Sequence, residues 1–474
     1  METVLPDAVL TLARRVGGVA DRLSLPCFAV GGLPRDLLLH ESSAPLEEYA
    51  ESTGDAGRAS PACPQARRPP IRGKGGHQRT EAPARDLPST SDIDIMVEGD
   101  GAAFAEALAA ELRGEASAQP RFLTAKVRLR DGATLDVASA REEAYPRPGA
   151  LPEVRHASAE GELRRRDFSI NAMAIRLNSG SFGELVDPCR GADDVRAGLI
   201  RALHPQSFED DPSRLWRAFR FAGRYGFRLE PETDRAAREA IAKGAIRTIS
   251  GDRLGAELRL VLSEPVPLPA LRLARDYGAL AHLADGLDLT PADEARLRRA
   301  SQVIADAATL GGQPEEDEWP PAWQLYAAAL FLPLGPDAAE AVARALNFSA
   351  SEARAIAAAC DRATSACRAL AEEAASRSQI WEHFECAPLL APLLALTVAG
   401  DEGTLQRIRL YLRELRHIRA DITGDDLIEA GYAPSPAFGR ALRAALAAKL
   451  DGRAPDAASQ LAVAKRAIAE QSPH

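Results

Sequence analysis

Two aspartates, Asp92 and Asp94, stand in the stretch SDIDIMV at residues 91–97. As a β-strand with period two, it sets both carboxylates on one face and Ile93, Ile95 and Val97 on the other, which can be buried. Like charges held that close raise each other's pKa unless a cation neutralises them. The usual partner is a hard divalent ion bound through oxygen. The chemistry so set up is phosphoryl transfer. An acidic pair also decorates solvated strand ends, so the reading depends on the rest of the chain.

Four other stretches supply company. In CFAVGGLPRDLLL, residues 27–30 read as a short buried strand, Gly31 and Gly32 as a turn, and Pro34 as an early helix residue. A strand, two glycines and a helix N-terminus make a phosphate cradle, to which Arg35 adds a forked cation. Residues 126–137, KVRLRDGATLDV, alternate as a hairpin with Asp131-Gly132 at the turn. Val127, Leu129, Leu135 and Val137 share its buried face. Asp136 is then a third carboxylate if the hairpin pairs beside the 91–97 strand, and a solvated strand residue if it does not. In residues 163–177, LRRRDFSINAMAIRL, Arg165 and Arg166 suit phosphate or ribose oxygens, and Asp167 and Asn171 share a face if the segment is helical. Residues 211–227 read as a helix with Leu215, Ala218, Phe219 and Ala222 on its apolar face. Arg214, Arg217, Arg220 and Arg224 fall on a different face with Asp211 at its upstream edge, a cationic stripe fit to line a triphosphate and base pocket.

The elements that must position these groups are legible in outline. Residues 4–25 and 101–113 read as helices. Residues 41–90 are rich in Pro, Gly, Ser, Ala and Arg without periodicity and read as a disordered insertion. Its Arg67, Arg68, Arg72, Lys74 and Arg79 read as a solvated loop. From Thr248 onward helical patterns alternate with Pro/Gly breaks. The six cysteines form no CxxC pair and read as reduced thiols. A net charge of −10 argues against wholesale nucleic-acid binding, yet arginines crowd residues 155–228, so a local basic groove is compatible with an acidic protein. No apolar run approaches a membrane span and the N-terminus lacks a signal-peptide pattern, which predicts a soluble cytoplasmic protein.

Taken in order, VGGLPRDLLL, SDIDIMVEGD, LDVASAREEAYPRPGALPEV, RRRDFSINAMA, the long stretch LVDPCRG to RLEPET, and ISGDRL resemble the class II tRNA nucleotidyltransferase (CCA-adding enzyme) and bacterial poly(A) polymerase family. ITGDDLIEAGYAPSPAFGRAL, residues 422–442, resembles that family's C-terminal segment. The resemblance implies an α+β fold: a polymerase β-like nucleotidyltransferase palm head (residues 1–150), then an all-helical neck (151–265), body (266–400) and RNA-binding tail (401–474). It implies Mg2+ on Asp92 and Asp94, triphosphate contacts at Gly31, Gly32 and Arg35, ribose reading by Arg166 and Asp167, and base reading by Asp211 and Arg214, with Arg217 and Arg220 following along the helix. The implied reaction adds C and/or A from CTP or ATP to the 3′ end of tRNA. CC-adding and A-adding specialists and poly(A) polymerases share these motifs, and a non-catalytic RNA-binding protein on the same scaffold is the reading from another class. Asp210 stands where the family has Glu beside the base-reading Asp. No HD phosphohydrolase signature is present.

Overall fold

The computed structural model describes residues 5–41, 93–119, 123–144, 153–311, 319–371 and 375–470. The expected insertion at 41–90 lies outside them except for residue 41, and so does Asp92. The chain divides into two units, Met1–Ser207 with Tyr225–Ala236, and Phe208–Arg224 with Ala237–His474.

The first unit is built on a mixed sheet. Its strands are β1 (Cys27–Val30), β2 (Asp94–Val97), β3 (Glu115–Gln119), β4 (Thr124–Arg128) and β5 (Thr134–Ser139), then β8 (Ala174–Arg176) and β9 (Leu185–Val186); β6 (Arg141–Ala144) and β7 (Glu153–His156) form a separate ribbon. The seven strands run in the order β3-β4-β5-β2-β1-β8-β9. All neighbours are antiparallel except β2 and β5, whose connection carries helix α3 (Gly101–Leu112) and the β3–β4 pair. Asp100 caps α3, its carboxylate accepting from the Ala102 and Ala103 N–H groups.

Alternation decides what each face of the sheet meets. Ile93, Ile95, Val97, Val127, Leu135 and Val137 pack with Val9, Leu12 and Val16 of α1 (Asp7–Arg22) and with Phe104 and Leu108 of α3. Phe28, Val30 and Met96 point the other way and pack with Ala159 and Leu163 of α4 (Ala159–Arg164). Helix α2 (Gly32–Glu41) starts directly after β1, with Pro34 in its first turn, where a missing N–H costs nothing. Helix α5 (Gly191–Ala197) follows β9 in the chain, and α6 (Ser207–Asp210) follows α5.

The second unit is helical throughout its described residues. Helix α7 (Arg214–Tyr225) is shorter at both ends than residues 211–227, and α8 (Pro231–Ala242) and α9 (Gly251–Leu262) follow. Leu215, Ala218, Phe219 and Ala222 are all buried, as the apolar face predicts. Ser250 caps α9, and two glycines let α9 approach the end of the helix Pro336–Ala345 closely. A Cβ on Gly251 would lie 2.0 Å from the Ala345 carbonyl oxygen, and one on Gly255 would lie 1.9 Å from that of Leu346. Further along α9, Arg259 reaches two other helices: it pairs with Glu352 of Ala350–Leu370 at 3.0 Å, and its guanidinium lies 3.8 Å from the ring centre of Trp323 on Ala322–Phe331. Gly255→Ala is therefore expected to lower stability by about 1–3 kcal/mol, the range for overpacked sites, read as a fall in the urea midpoint. An unchanged midpoint would mean that the contact relaxes freely.

The C-terminal helices Gly424–Glu429, Ala437–Leu450 and Ala457–Ala469 enclose their own small cluster of Ile422, Leu427, Ala441, Ala445, Ala464 and Ile468. Among the described residues no helix is long and apolar enough to cross a membrane.

Candidate active site

In the first unit the sheet register assembles the chemistry. Asp94 on β2 lies directly opposite Asp136 on β5, and Lys126 on β4 lies opposite Asp136 from the other side. Residues directly across a sheet share a face, so Lys126, Asp136 and Asp94 form one row. The expected hairpin thus places Asp136 beside the acidic strand. Asp94 is exposed while Ile93 and Ile95 are buried, the alternation a half-buried strand requires. Lys126 Nζ lies 2.8 Å from Asp136 Oδ1, with the two side chains 62% and 55% exposed.

A tight turn closes the row at its other end. β1 ends with Val30 opposite Asp94, and Gly31 follows at φ +77°. A Cβ on Gly31 would lie 2.5 Å from Asp94 Oδ2. Only glycine meets both the left-handed backbone and the space, so the turn runs against the carboxylate with its backbone bare.

Arg35 departs from the expected open cation. It is 6% exposed, donates from Nη1 to Asn171 Oδ1 at 2.6 Å and from Nε to Asp36 Oδ1 at 2.9 Å, and its guanidinium lies 4.7 Å from the Tyr225 ring centre. Asn171 in turn donates to Asp167 Oδ1 at 3.1 Å, which also accepts the Phe168 N–H at 2.8 Å. The 163–177 segment is not one helix: α4 ends at Arg164, a 3₁₀ turn spans Ser169–Asn171, and β8 begins at Ala174. A short acidic side chain that bonds the next backbone N–H offers the chain an alternative to helix here. Asp167 and Asn171 still meet, through a hydrogen bond rather than a helix face. Arg165 Nε donates to Glu162 at 2.6 Å and Arg166 stands 3.6 Å from the same carboxylate. The Arg166 Nε is buried with no hydrogen-bond partner among the described residues.

In the second unit Asp211 precedes α7. Its Oδ1 accepts from Ser213 N–H, Ser213 Oγ at 2.6 Å and Arg253 Nη2 at 2.6 Å, while Oδ2 accepts from Arg253 at 2.7 Å. Burial pushes the Asp211 carboxyl up, but the Ser213 and Arg253 hydrogen bonds outweigh it and hold it below the ordinary range. A carboxylate offers about four acceptor positions, so Oδ2 retains capacity for a further donor. Arg253 is not among the expected site residues; its sequence signals are its place in the ISGDRL stretch and a cation following a helix cap.

The arginine stripe meets carboxylates of its own unit. Arg217 stands 3.6 Å from Glu257 of α9, and Arg220 and Arg224 stand 3.3 and 3.5 Å from Glu264. The Arg220 side chain is 13% exposed, and its burial lowers the guanidinium's pKa despite Glu264. Spacing along one helix tells which residues share a face but not what an element forty residues later brings to meet it. Arg214 is half-buried at the first turn of α7, three residues from Asp211.

A sheet that aligns two carboxylates beside a bare glycine turn, in a chain whose remainder is helical, defines a nucleotidyltransferase-type head on a helical scaffold. The model of the poly(A) polymerase head domain matches residues 83–201, and that described as a probable RNA and SrmB-binding site of polymerase A matches residues 226–289. An A-adding tRNA nucleotidyltransferase of Halalkalibacterium halodurans is 30% identical over 92% of this chain and 88% of its own length. One from Geobacter sulfurreducens is 30% identical over 98% of this chain, which spans about half of that relative (48%). A solved CCA-adding enzyme in an apo form superposes with a TM-score of 0.74 at 26% identity, covering 99% of this chain and 97% of that one. The chain belongs to the tRNA nucleotidyltransferase and poly(A) polymerase family.

Proposed function

We propose that this protein is a template-independent RNA nucleotidyltransferase that adds C and/or A from CTP or ATP to the 3′ end of tRNA. The observation that carries the reading is the Asp94–Asp136 row set against Gly31. Two carboxylates directly opposite each other on adjacent strands suit a hard divalent cation, and the close glycine leaves the room that a Cβ would fill. Asp92, Asp94 and Asp136 would hold Mg2+ there. When bound, the ion lowers the pKa of the attacking 3′-hydroxyl and neutralises charge on the reacting phosphate.

The chain's own groups take the remaining tasks. The bare backbone at Gly31 and Gly32 accommodates the triphosphate at the start of α2. Arg35 acts indirectly, orienting Asn171 and through it Asp167, while Arg166 directs its Nε–H to the nucleotide. Asp211 accepts from the amino group of cytosine or adenine and Arg214 donates to the adjacent ring nitrogen. Uracil and guanine present the opposite pattern and leave buried groups unpaired, at about 1–3 kcal/mol each. Arg217 and Arg220, neutralised by Glu257 and Glu264, hold the helix that carries Arg214. We place the end of the head near residue 207 rather than 150, since β8 and β9 belong to its sheet and the expected neck is therefore not helical from 151; neck, body and tail then divide near residues 265 and 400, and the tail takes part in holding tRNA.

The test is incorporation of labelled CTP and ATP, separately and together, into tRNAs ending at the discriminator base, at C and at CC. Growth of all three to CCA is the expected result of a complete enzyme; no incorporation into any of them overturns the reading. The two relatives named A-adding favour a second reading, an A-adding specialist, which would extend only the CC-ended RNA.

A further inference from the structure

The row over the sheet contains one group that the proposed reaction does not use. Lys126 shares its cross-strand register with Asp136, and Asp136 shares its own with Asp94, so one cation and two carboxylates stand side by side on adjacent strands. The Lys126 ammonium lies 2.8 Å from Asp136 Oδ1. No packing holds the lysine in place: its side chain is 62% exposed and ends on a flexible four-carbon stem.

We propose that Lys126 is the built-in counter-ion of this site, holding Asp136 in the absence of a divalent cation and yielding to it on binding, so that Lys126 sets the site's affinity for the cation. The inference rests on the reading above, in which Asp94 and Asp136 are ligands. Its physical basis is competition for one oxygen. A Mg2+ ligand oxygen sits about 2.1 Å from the ion, and an ammonium already in contact with that oxygen must move or share the carboxylate. In either case a positive charge remains a few ångströms from the incoming ion and weakens its binding. An exposed lysine carries its full charge at neutral pH. Such an arrangement keeps two neighbouring carboxylates compatible in the unloaded enzyme. It also discourages weakly competing cations from settling there.

The test uses Mn2+ alone on the full, nucleotide-free chain, with free Mn2+ followed by its paramagnetic resonance signal. Lys126→Met is expected to tighten Mn2+ binding roughly three- to tenfold, since it removes one nearby positive charge from a solvated site. Lys126→Arg keeps the charge and is expected to stay within about twofold of the parent. Thermal unfolding in EDTA checks that both variants are folded. An unchanged or weakened affinity in Lys126→Met overturns the proposal, and so does equal tightening in Lys126→Met and Lys126→Arg, because charge would then not be the cause. Asp94→Asn separates this failure from that of the underlying reading. If it leaves Mn2+ binding intact, the carboxylates are not ligands; if it weakens binding while Lys126→Met changes nothing, only the counter-ion role falls.

Discussion

Asp94→Asn is expected to lower nucleotide incorporation by roughly 10³-fold or more. Loss of an anionic ligand forfeits several kcal/mol of transition-state stabilisation, and each 1.36 kcal/mol is about tenfold in rate. The fold should be indifferent to the change. Asp94 is exposed at the start of β2, and the strand is held by Ile93, Ile95, Met96 and Val97, all buried. Single-turnover incorporation, tRNA binding and the thermal midpoint together decide the matter. Lost incorporation with the other two retained assigns Asp94 to chemistry; loss of all three would make the carboxylate part of the scaffold.

The second large effect concerns base choice. Asp211→Asn replaces an acceptor-only group by an amide that also donates, so the group matched to an amino-bearing base becomes compatible with the carbonyl of uracil. Discrimination of CTP over UTP, as the ratio of kcat/KM values, is expected to fall about 10- to 100-fold, in line with about 1–3 kcal/mol for an unsatisfied buried group. Arg253→Ala should move the same ratio in the same direction by a smaller factor. Arg253 touches both Asp211 oxygens and so fixes where the remaining acceptor points. A ratio that holds in both variants, with activity retained, would remove Asp211 from base selection.

These two sites differ in how far they could be read before the structure. The strand period of residues 93–97 and the Asp131-Gly132 hairpin depend on local alternation and turn chemistry, so β2, β4 and β5 followed from the sequence, whereas the pairing of Asp136 with the acidic strand was one of two open readings that only the sheet register decides. The apolar face of α7 followed equally well, since 3.6-residue spacing is local too. What escaped was every partner supplied from a distance. Glu257 and Glu264 neutralise the arginine stripe, Arg253 grips Asp211, and Asn171 draws Arg35 inward. A long cationic side chain is equally at home on an anionic ligand and on a carboxylate of its own protein. Spacing alone does not tell these apart. The 163–177 stretch was misleading for a local reason, the hydrogen bond between Asp167 and the Phe168 N–H, which competes with helix.

The sheet order also governs how long a strand edge waits for its partner during synthesis. β1 sits between β2 and β8, and Phe28 pairs with Arg176. At elongation rates of roughly 5–20 residues/s, β8 leaves the ribosome about 7–30 s after β1. Throughout that interval the Cys27–Val30 strand, apolar on both faces, has one hydrogen-bonding edge with no partner to cover it. The glycine turn at its end is therefore among the first parts of the site to be made and among the last to be enclosed by its native neighbours.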